Sequence, residues 1–339
     1  MAEVPRASVD PYGFERPDDF DYESYDDFMS NYLGILARRA KKWEDFLGIE
    51  KNVKKGTKVK RYIRKGIPRE YRGLVWMEVS KAQDLKDADP NLYFTLLSMP
   101  IPPEIVESIK IDIPRTFPDN IYFKVDSLDG KRQPLYNVLV AFAQKNPSVG
   151  YCQGLNFIAG ILLLITEDEE TTFWLLRILV EKILPDYYTK DMMGLLTDVE
   201  VLGELVRLKV PKVHEHLVSH DVTWALVASK WFICLFAEVL PVETILRIWD
   251  CLYYEGSKIL FRVGVTLIKK NEEKILAAQN FPDIISVLKS ITGDPLVTDC
   301  HSLMQAIFKE PGSFPRSLIS RLRAQCRIKV LKQKEELKL

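Results

Sequence analysis

Residues 172–184 read TFWLLRILVEKIL, and their apolar side chains recur at three- and four-residue intervals. That period belongs to a helix with an apolar face; a half-buried strand would alternate instead. The same spacing returns at 134–145 (PLYNVLVAFAQK), 198–208, 224–239, 242–254 and 259–268. Pro185, Pro211 and Pro241 fall between these runs, where a residue lacking an amide proton marks a helix boundary. Asp221 and Thr223 stand ahead of the Trp224 run as N-cap candidates. Trp174, Trp224, Trp231 and Phe236 sit at helical spacing and are read as core. No alternating Val/Ile/Thr run closes on Asn-Gly or Gly-Gly, so strands are not expected. The fold class is therefore all-α. A multi-helix body over 61–310 follows an N-terminal extension, flexible or helical, over 1–60, and a basic C-terminal segment occupies 311–339.

Composition narrows the function. The 339 residues carry 47 basic and 47 acidic side chains, and this balance argues against a general nucleic-acid binder. The zero is a sum of unequal parts. Residues 1–30 hold nine acidic and two basic side chains, 51–65 hold eight basic and no acidic ones, and the 24 residues from Arg316 hold eight basic and two acidic. Such runs are solvated helix faces or arms, or they attract an anionic membrane surface or an acidic partner. The five cysteines are scattered without a CxxC pair, which fits neither a disulfide framework nor a zinc ribbon and suggests a reducing compartment. The longest apolar stretch, 155–165, is interrupted by Asn156 and Gly160 and falls short of the ~18–20 residues of a membrane span. The opening MAEVPRASVDPYG does not read as a secretory leader.

Phosphate-loop, dinucleotide-loop, HExxH and GxSxG motifs are absent. His214, His216 and His220 form HEHLVSH. His216 and His220 have the i, i+4 spacing of metal ligands, but only Asp221 is near enough in sequence to extend the set, and they are read as surface histidines. Cys152 has no histidine near it in sequence and is not read as a nucleophile. The acidic run at 167–170 (EDEE) is expected to be a solvated helix start.

Two segments break the helical pattern. The first, 110–120 (KIDIPRTFPDN), has two prolines and an Asp-Asn pair and is expected to be rigid and non-helical. The second, 146–156 (NPSVGYCQGLN), turns through Pro, Ser and Gly into a polar sequence ahead of an apolar helix. Arg115 is either a loop partner of Asp112 or a guanidinium held out for phosphate, to which its planar fork is suited. Gln153 is either a turn glutamine or an amide that orients water. Gly150 and Gly154 would let another backbone come close. Together the loops offer charge stabilisation and a positioned nucleophile, the two needs of phosphoryl transfer to water.

Three motifs occur in order: Tyr71-Arg72-Gly-Leu-Val-Trp76 as RxxxW, Ile109-Lys-Ile-Asp112-Ile-Pro-Arg115 as IxxDxxR running on into Thr-Phe-Pro, and Tyr151-Cys-Gln153 as YxQ within GYxQG. Residues 229–250 (SKWFICLFAEVLPVETILRIWD) close on Trp249 and Asp250. Over about 66–290 the sequence resembles the TBC (Tre-2/Bub2/Cdc16) domain of Rab GTPase-activating proteins, with Leu155 where many members have Met. The resemblance implies that Arg115 is an arginine finger and Gln153 a glutamine finger, both inserted in trans into a GTP-bound Rab. It implies that Tyr151, in the same loop as Gln153, supports that loop's contacts with the partner, that Asp112 braces the Arg115 loop, and that Arg72 and Trp76 pack or pair beneath the two loops. GTP and Mg²⁺ would belong to the partner, so no cofactor, no nucleic acid and no independent reaction are expected. The resemblance further implies a cytoplasmic protein in vesicle trafficking, held peripherally at endomembranes through the Rab or the basic segments. Two rivals remain: a non-catalytic Rab-binding scaffold or effector, and a stand-alone hydrolase using Asp112 or Cys152.

Overall fold

The computed structural model describes residues 8–49, 53–125 and 127–336. The first seven residues of the acidic head, Lys51 and Asn52 of the basic segment and 337–339 of the tail lie outside the described residues. Among those described, regular structure is helical, and β pairing is confined to two isolated bridges, Val9 with Glu15 and Phe14 with Asn120. The stretch 172–184 is helical with one irregularity. The α-helix Glu169–Ile178 passes into a π-helical turn, Leu179–Ile183, where the Leu184 N–H reaches back five residues to the Leu179 carbonyl at 2.9 Å. The acidic run begins this helix later than expected. Glu167 is a left-handed cap on the preceding helix (φ 56°), and Asp168 is the residue whose carboxylate accepts the Thr171 amide at 2.7 Å.

The chain forms two compact units: residues 1–53 with 68–177, and residues 54–67 with 178–339. In the first, helix Arg132–Lys145 is central and packs against Leu92–Leu97, Pro103–Asp112 and Leu155–Thr166. Leu135, Val138, Leu139 and Phe142 recur at helical spacing and are fully buried there. Helix Arg69–Ser80 packs on Leu155–Thr166, and the Tyr93 hydroxyl donates to Glu169 at 2.5 Å.

In the second unit, helix Met193–Lys209 packs against Pro211–Ser219, Trp224–Ile233, Lys258–Lys270 and Arg316–Glu336. The tail is thus a docked helix over most of its length. It buries Ile319, Leu322, Cys326 and Val330, and Arg323 holds Asp198 through two bonds of 2.7 and 2.6 Å. Part of the basic segment is also engaged internally, since Arg64 pairs with Glu255 at 2.6 and 2.8 Å. The expected 224–239 helix ends early, at Ile233. Leu235 and Phe236 take left-handed backbones (φ 49° and 67°), and the Leu235 carbonyl accepts the Trp249 indole N–H at 3.0 Å. Thr223 does occupy the N-cap position, but no side-chain cap bond forms, and Asp221 lies before it with φ 56°. Trp174, Trp224, Trp231 and Phe236 are all buried, as their spacing predicts.

Candidate functional site

Arg115 sits on a helical ending, not on the non-helical loop expected for 110–120. Helix Pro103–Asp112 carries Lys110 and Asp112 in its last turn and tightens into a 3-10 turn, Ile113–Arg115. Pro114 is tolerated because the first residues of such a turn need no amide proton. The Thr116 hydroxyl donates to the Asp112 carbonyl at 2.8 Å and closes the turn. The carboxylate of Asp112 then serves two partners. Its Oδ1 lies 3.8 Å from Arg115 Nη1, and its Oδ2 accepts the Tyr151 hydroxyl at 2.7 Å. The Arg115 side chain stays 61% exposed.

Two residues on, Phe117 is buried with a left-handed backbone (φ 50°), a conformation that non-glycine residues hold only when their surroundings dictate it. Its ring is fixed by edge contacts with Phe14, Phe123 and Phe157 at 5.2, 5.8 and 5.4 Å. Gly160 leaves room for it: a Cβ there would come within 2.9 Å of that ring.

The Gln153 loop is built around glycines. The Asn146 carbonyl accepts the amides of Val149 and Gly150 at 3.0 and 2.8 Å, with Gly150 at φ 60°. Gly154, at φ 107°, caps helix Leu155–Thr166. Its N–H donates to Asn156 Oδ1 at 3.0 Å, and Asn156 Nδ2 donates to Thr116 Oγ1 at 2.8 Å. Asn156 and Thr116 are buried, while Gln153 is exposed. Two hydrogen bonds, Tyr151 to Asp112 and Asn156 to Thr116, therefore join the glutamine loop to the arginine turn. Neither Asn156 nor Thr116 was singled out from the sequence. The available signal was Asn156 itself, the one amide inside the apolar stretch 155–165.

Burial, reinforced by the Asp112 carboxylate, pushes the Tyr151 phenol well above its usual range and keeps it a donor. Burial followed by Asp112 also raises the Cys152 thiol, which opposes a thiolate nucleophile.

A third strand of contacts comes from the N-terminal extension. Residues 10–15 form a tight turn in which Asp10 Oδ1 accepts the amides of Tyr12 and Phe14 at 2.8 and 2.9 Å. Asn120 Nδ2 donates to the Tyr12 carbonyl at 3.0 Å, and Glu15 N–H donates to the Asp119 carbonyl at 2.8 Å. Arg72 is buried and donates to the Tyr12 hydroxyl at 3.0 Å, so its pairing reaches this N-terminal turn. Trp76 is fully buried.

Two of the three histidines are held by backbone carbonyls. His216 Nε2 lies 2.8 Å from the Ala278 carbonyl, and His220 Nδ1 lies 2.8 Å from the His216 carbonyl. Among the described residues, no group of three or more His, Cys, Asp or Glu is placed to hold a metal ion, and no helix is long and apolar enough to cross a membrane.

Comparison with known proteins shows the family. The Rab-GTPase-TBC domain family matches residues 69–276. The zebrafish (Danio rerio) growth hormone-regulated TBC protein 1-A is 55% identical over 324 residues, covering 96% of this chain and 91% of its own. The human (Homo sapiens) growth hormone-regulated TBC protein 1 is 52% identical over 330 residues, covering 97% of each chain. Among solved structures, the Chlamydomonas flagellar RabGAP TBC domain aligns with a TM-score of 0.76 at 32% identity, covering 89% of this chain and 99% of its own. The Ypt/Rab-GAP domain of Gyp1p shares the fold with a TM-score of 0.65 at 22% identity, over 80% of this chain and 97% of its own.

Proposed function

The chain belongs to the Rab-GTPase-TBC domain family, and from that premise we propose that it accelerates GTP hydrolysis by a Rab-family GTPase. The observation that carries the proposal is the pairing of an exposed Arg115 with an exposed Gln153 on segments joined by two hydrogen bonds, one buried and one half-buried. In the transition state for phosphoryl transfer, charge accumulates on the oxygens of the γ-phosphoryl group and a water must be aligned for attack. Arg115 supplies a fixed positive charge and a planar set of donors to those oxygens. The Gln153 amide accepts from the attacking water with its oxygen and donates with its nitrogen, which orients the nucleophile. GTP and Mg²⁺ are held by the Rab, and this chain contributes side chains in trans.

Asp112 and Tyr151 are positioning residues. The carboxylate faces the guanidinium from one oxygen and is itself fixed through the other. Arg72 and Trp76 are structural. A self-contained hydrolase is disfavoured, because the Cys152 thiol is held protonated and both oxygens of Asp112 are engaged. The place of action on this reading is the cytoplasmic face of Rab-bearing endomembranes, in vesicle trafficking.

Single-turnover GTP hydrolysis across a panel of GTP-loaded Rabs tests the proposal. Wild-type protein is expected to stimulate at least one Rab. Arg115→Ala is expected to lose most of the acceleration, since a trans arginine is worth ~10³–10⁵ in rate. Arg115→Lys should recover little, because the fork is lost. Near-full stimulation by Arg115→Ala would overturn the arginine-finger assignment, and wild-type protein that binds a GTP-loaded Rab without stimulating it would leave a scaffold or effector role instead.

A further inference from the structure

The segment just after Arg115 is gripped from two sides. Thr116 is held by Asn156 from the glutamine loop. Phe117, Asp119, Asn120 and Ile121 are held by residues 12–15, which lie outside the part of the chain matched by the family, 69–276. Four contacts make up this second grip: the Phe14 ring meets the Phe117 ring edge-on at 5.2 Å, Glu15 N–H donates to the Asp119 carbonyl at 2.8 Å, Asn120 Nδ2 donates to the Tyr12 carbonyl at 3.0 Å, and Ile121 N–H donates to the Gly13 carbonyl at 2.9 Å. The turn that makes them is itself prefolded. Asp10 caps it, and Gly13 has φ 92° with the Tyr122 ring so near that a Cβ would fall 2.6 Å from it. Its far side is pinned to helix Arg69–Ser80 by Arg72 on the Tyr12 hydroxyl.

We propose that residues 10–15 are a positioning element for Arg115: they clamp the backbone immediately behind the finger against the first unit, and Phe14 is the residue through which the clamp reaches the turn. The proposal rests on the Rab-activating reading above. Three features argue for positioning over general packing. The contacts converge on the four residues 117 and 119–121, within six of Arg115. They hold Phe117, whose left-handed backbone needs external support. And they leave the Arg115 side chain untouched and exposed. A finger on a tethered turn meets the phosphate already aimed, and misplacement by ~1 Å can cost ~10²-fold in rate.

The test uses full-length protein carrying Phe14→Ala, with Phe14→Tyr as the conservative control and Phe14→Leu as a milder lesion should the alanine variant not give a cooperative thermal melt. The maximal stimulated hydrolysis rate should fall on the order of 10- to 100-fold. The half-saturating concentration of GTP-loaded Rab should stay within about twofold, since a lost transition-state contact lowers kcat without weakening ground-state binding. Phe14→Tyr should restore the rate. In an Arg115→Ala background, Phe14→Ala should cost nothing further, because its effect runs through that guanidinium. Amide exchange at Thr116, Asn120 and Ile121 should accelerate in Phe14→Ala. An unchanged maximal rate, a rise in half-saturation alone, unchanged amide exchange, or a further loss in the Arg115→Ala background would each overturn the clamp. Failure of wild-type protein to stimulate any Rab is seen before any variant is made, and it overturns the activating function and the clamp together.

Discussion

Asn156 donates to the Thr116 hydroxyl at 2.8 Å, so the first turn of the helix behind Gln153 is bonded to the residue next to Arg115. The same side chain accepts from Gly154 N–H at 3.0 Å, which fixes the backbone of the residue next to Gln153. One buried amide thus sets the spacing of the two exposed side chains. Replacing it with the similarly sized Asn156→Leu leaves the Gly154 N–H without its acceptor and the Thr116 hydroxyl without its donor. The Thr116 hydroxyl keeps its own bond to the Asp112 carbonyl, so the cost falls on the orphaned Gly154 N–H, at ~1–3 kcal/mol for an unsatisfied buried group. A lower midpoint in urea unfolding, together with a stimulated hydrolysis rate reduced at least about tenfold, is the expected result.

Tyr151→Phe removes the hydroxyl that holds Asp112 and nothing else. A hydrogen bond to a charged acceptor is worth ~1.5–3 kcal/mol, and denaturant titration should show a loss of that order. The pH dependence follows from the direction of the shift. The folded phenol ionises above its ordinary value near 10, so its contribution is whole below about pH 10 and declines as pH rises beyond that. Tyr151→Phe should therefore weaken the fall in stability on the alkaline side, read from thermal melts between neutral and strongly alkaline pH.

Gly160→Ala probes the arginine turn from within the core. The added methyl would press on the Phe117 ring at 2.9 and 3.2 Å and on the Thr116 methyl at 3.3 Å. Overpacking of this kind costs ~1–3 kcal/mol, and here the strain falls on the two residues that follow Arg115. Stimulated hydrolysis should drop while circular dichroism stays helical. Full activity with unaltered stability would show that the turn yields freely.

Glu255 provides an acid-side test in the second unit. Burial disfavours its charge, but hydrogen bonds from Arg64 and Lys258 outweigh that and hold its carboxyl down at about 2, from an ordinary 4.5. A depressed pKa gives stability that is present above about 4.5 and lost as pH falls toward 2. The shift is worth on the order of 3 kcal/mol. Glu255→Gln should therefore be less stable than wild type at neutral pH, and the gap should close as the pH approaches 2.

The helical body was legible because its period is a physical requirement: a helix must bury one face, and TFWLLRILVEKIL shows that face directly. Arg115, Gln153, Asp112 and Tyr151 were legible as motif residues, and the Asp112–Arg115 pairing was legible from its i, i+3 spacing; the Tyr151–Asp112 bond was not, because those two are 39 residues apart and meet only in the folded chain. The end of the helix at Ile233 was hidden by chemistry common to both outcomes. Leu235 and Phe236 are apolar because they are buried, and a buried turn needs apolar residues as much as a helix does. What decides the matter is distant: the indole of Trp249 takes the Leu235 carbonyl. The role of residues 10–15 was obscured by their setting, since nine acidic side chains over 1–30 read as a solvated arm. Tyr12 and Phe14 turn inward within that arm.

Phe117, caught among three rings with its backbone left-handed, also bears on the entropy of docking. Ordering a free segment costs ~1–2 kcal/mol per residue in backbone freedom alone, a charge that a mobile catalytic loop would meet at every encounter. Here residues 116–121 have already surrendered that freedom on folding. What is left to freeze on this turn is the Arg115 side chain, at up to ~2 kcal/mol. Association with a GTPase should accordingly proceed at an ordinary protein–protein encounter rate, ~10⁵–10⁷ M⁻¹s⁻¹, without a slow step of loop ordering.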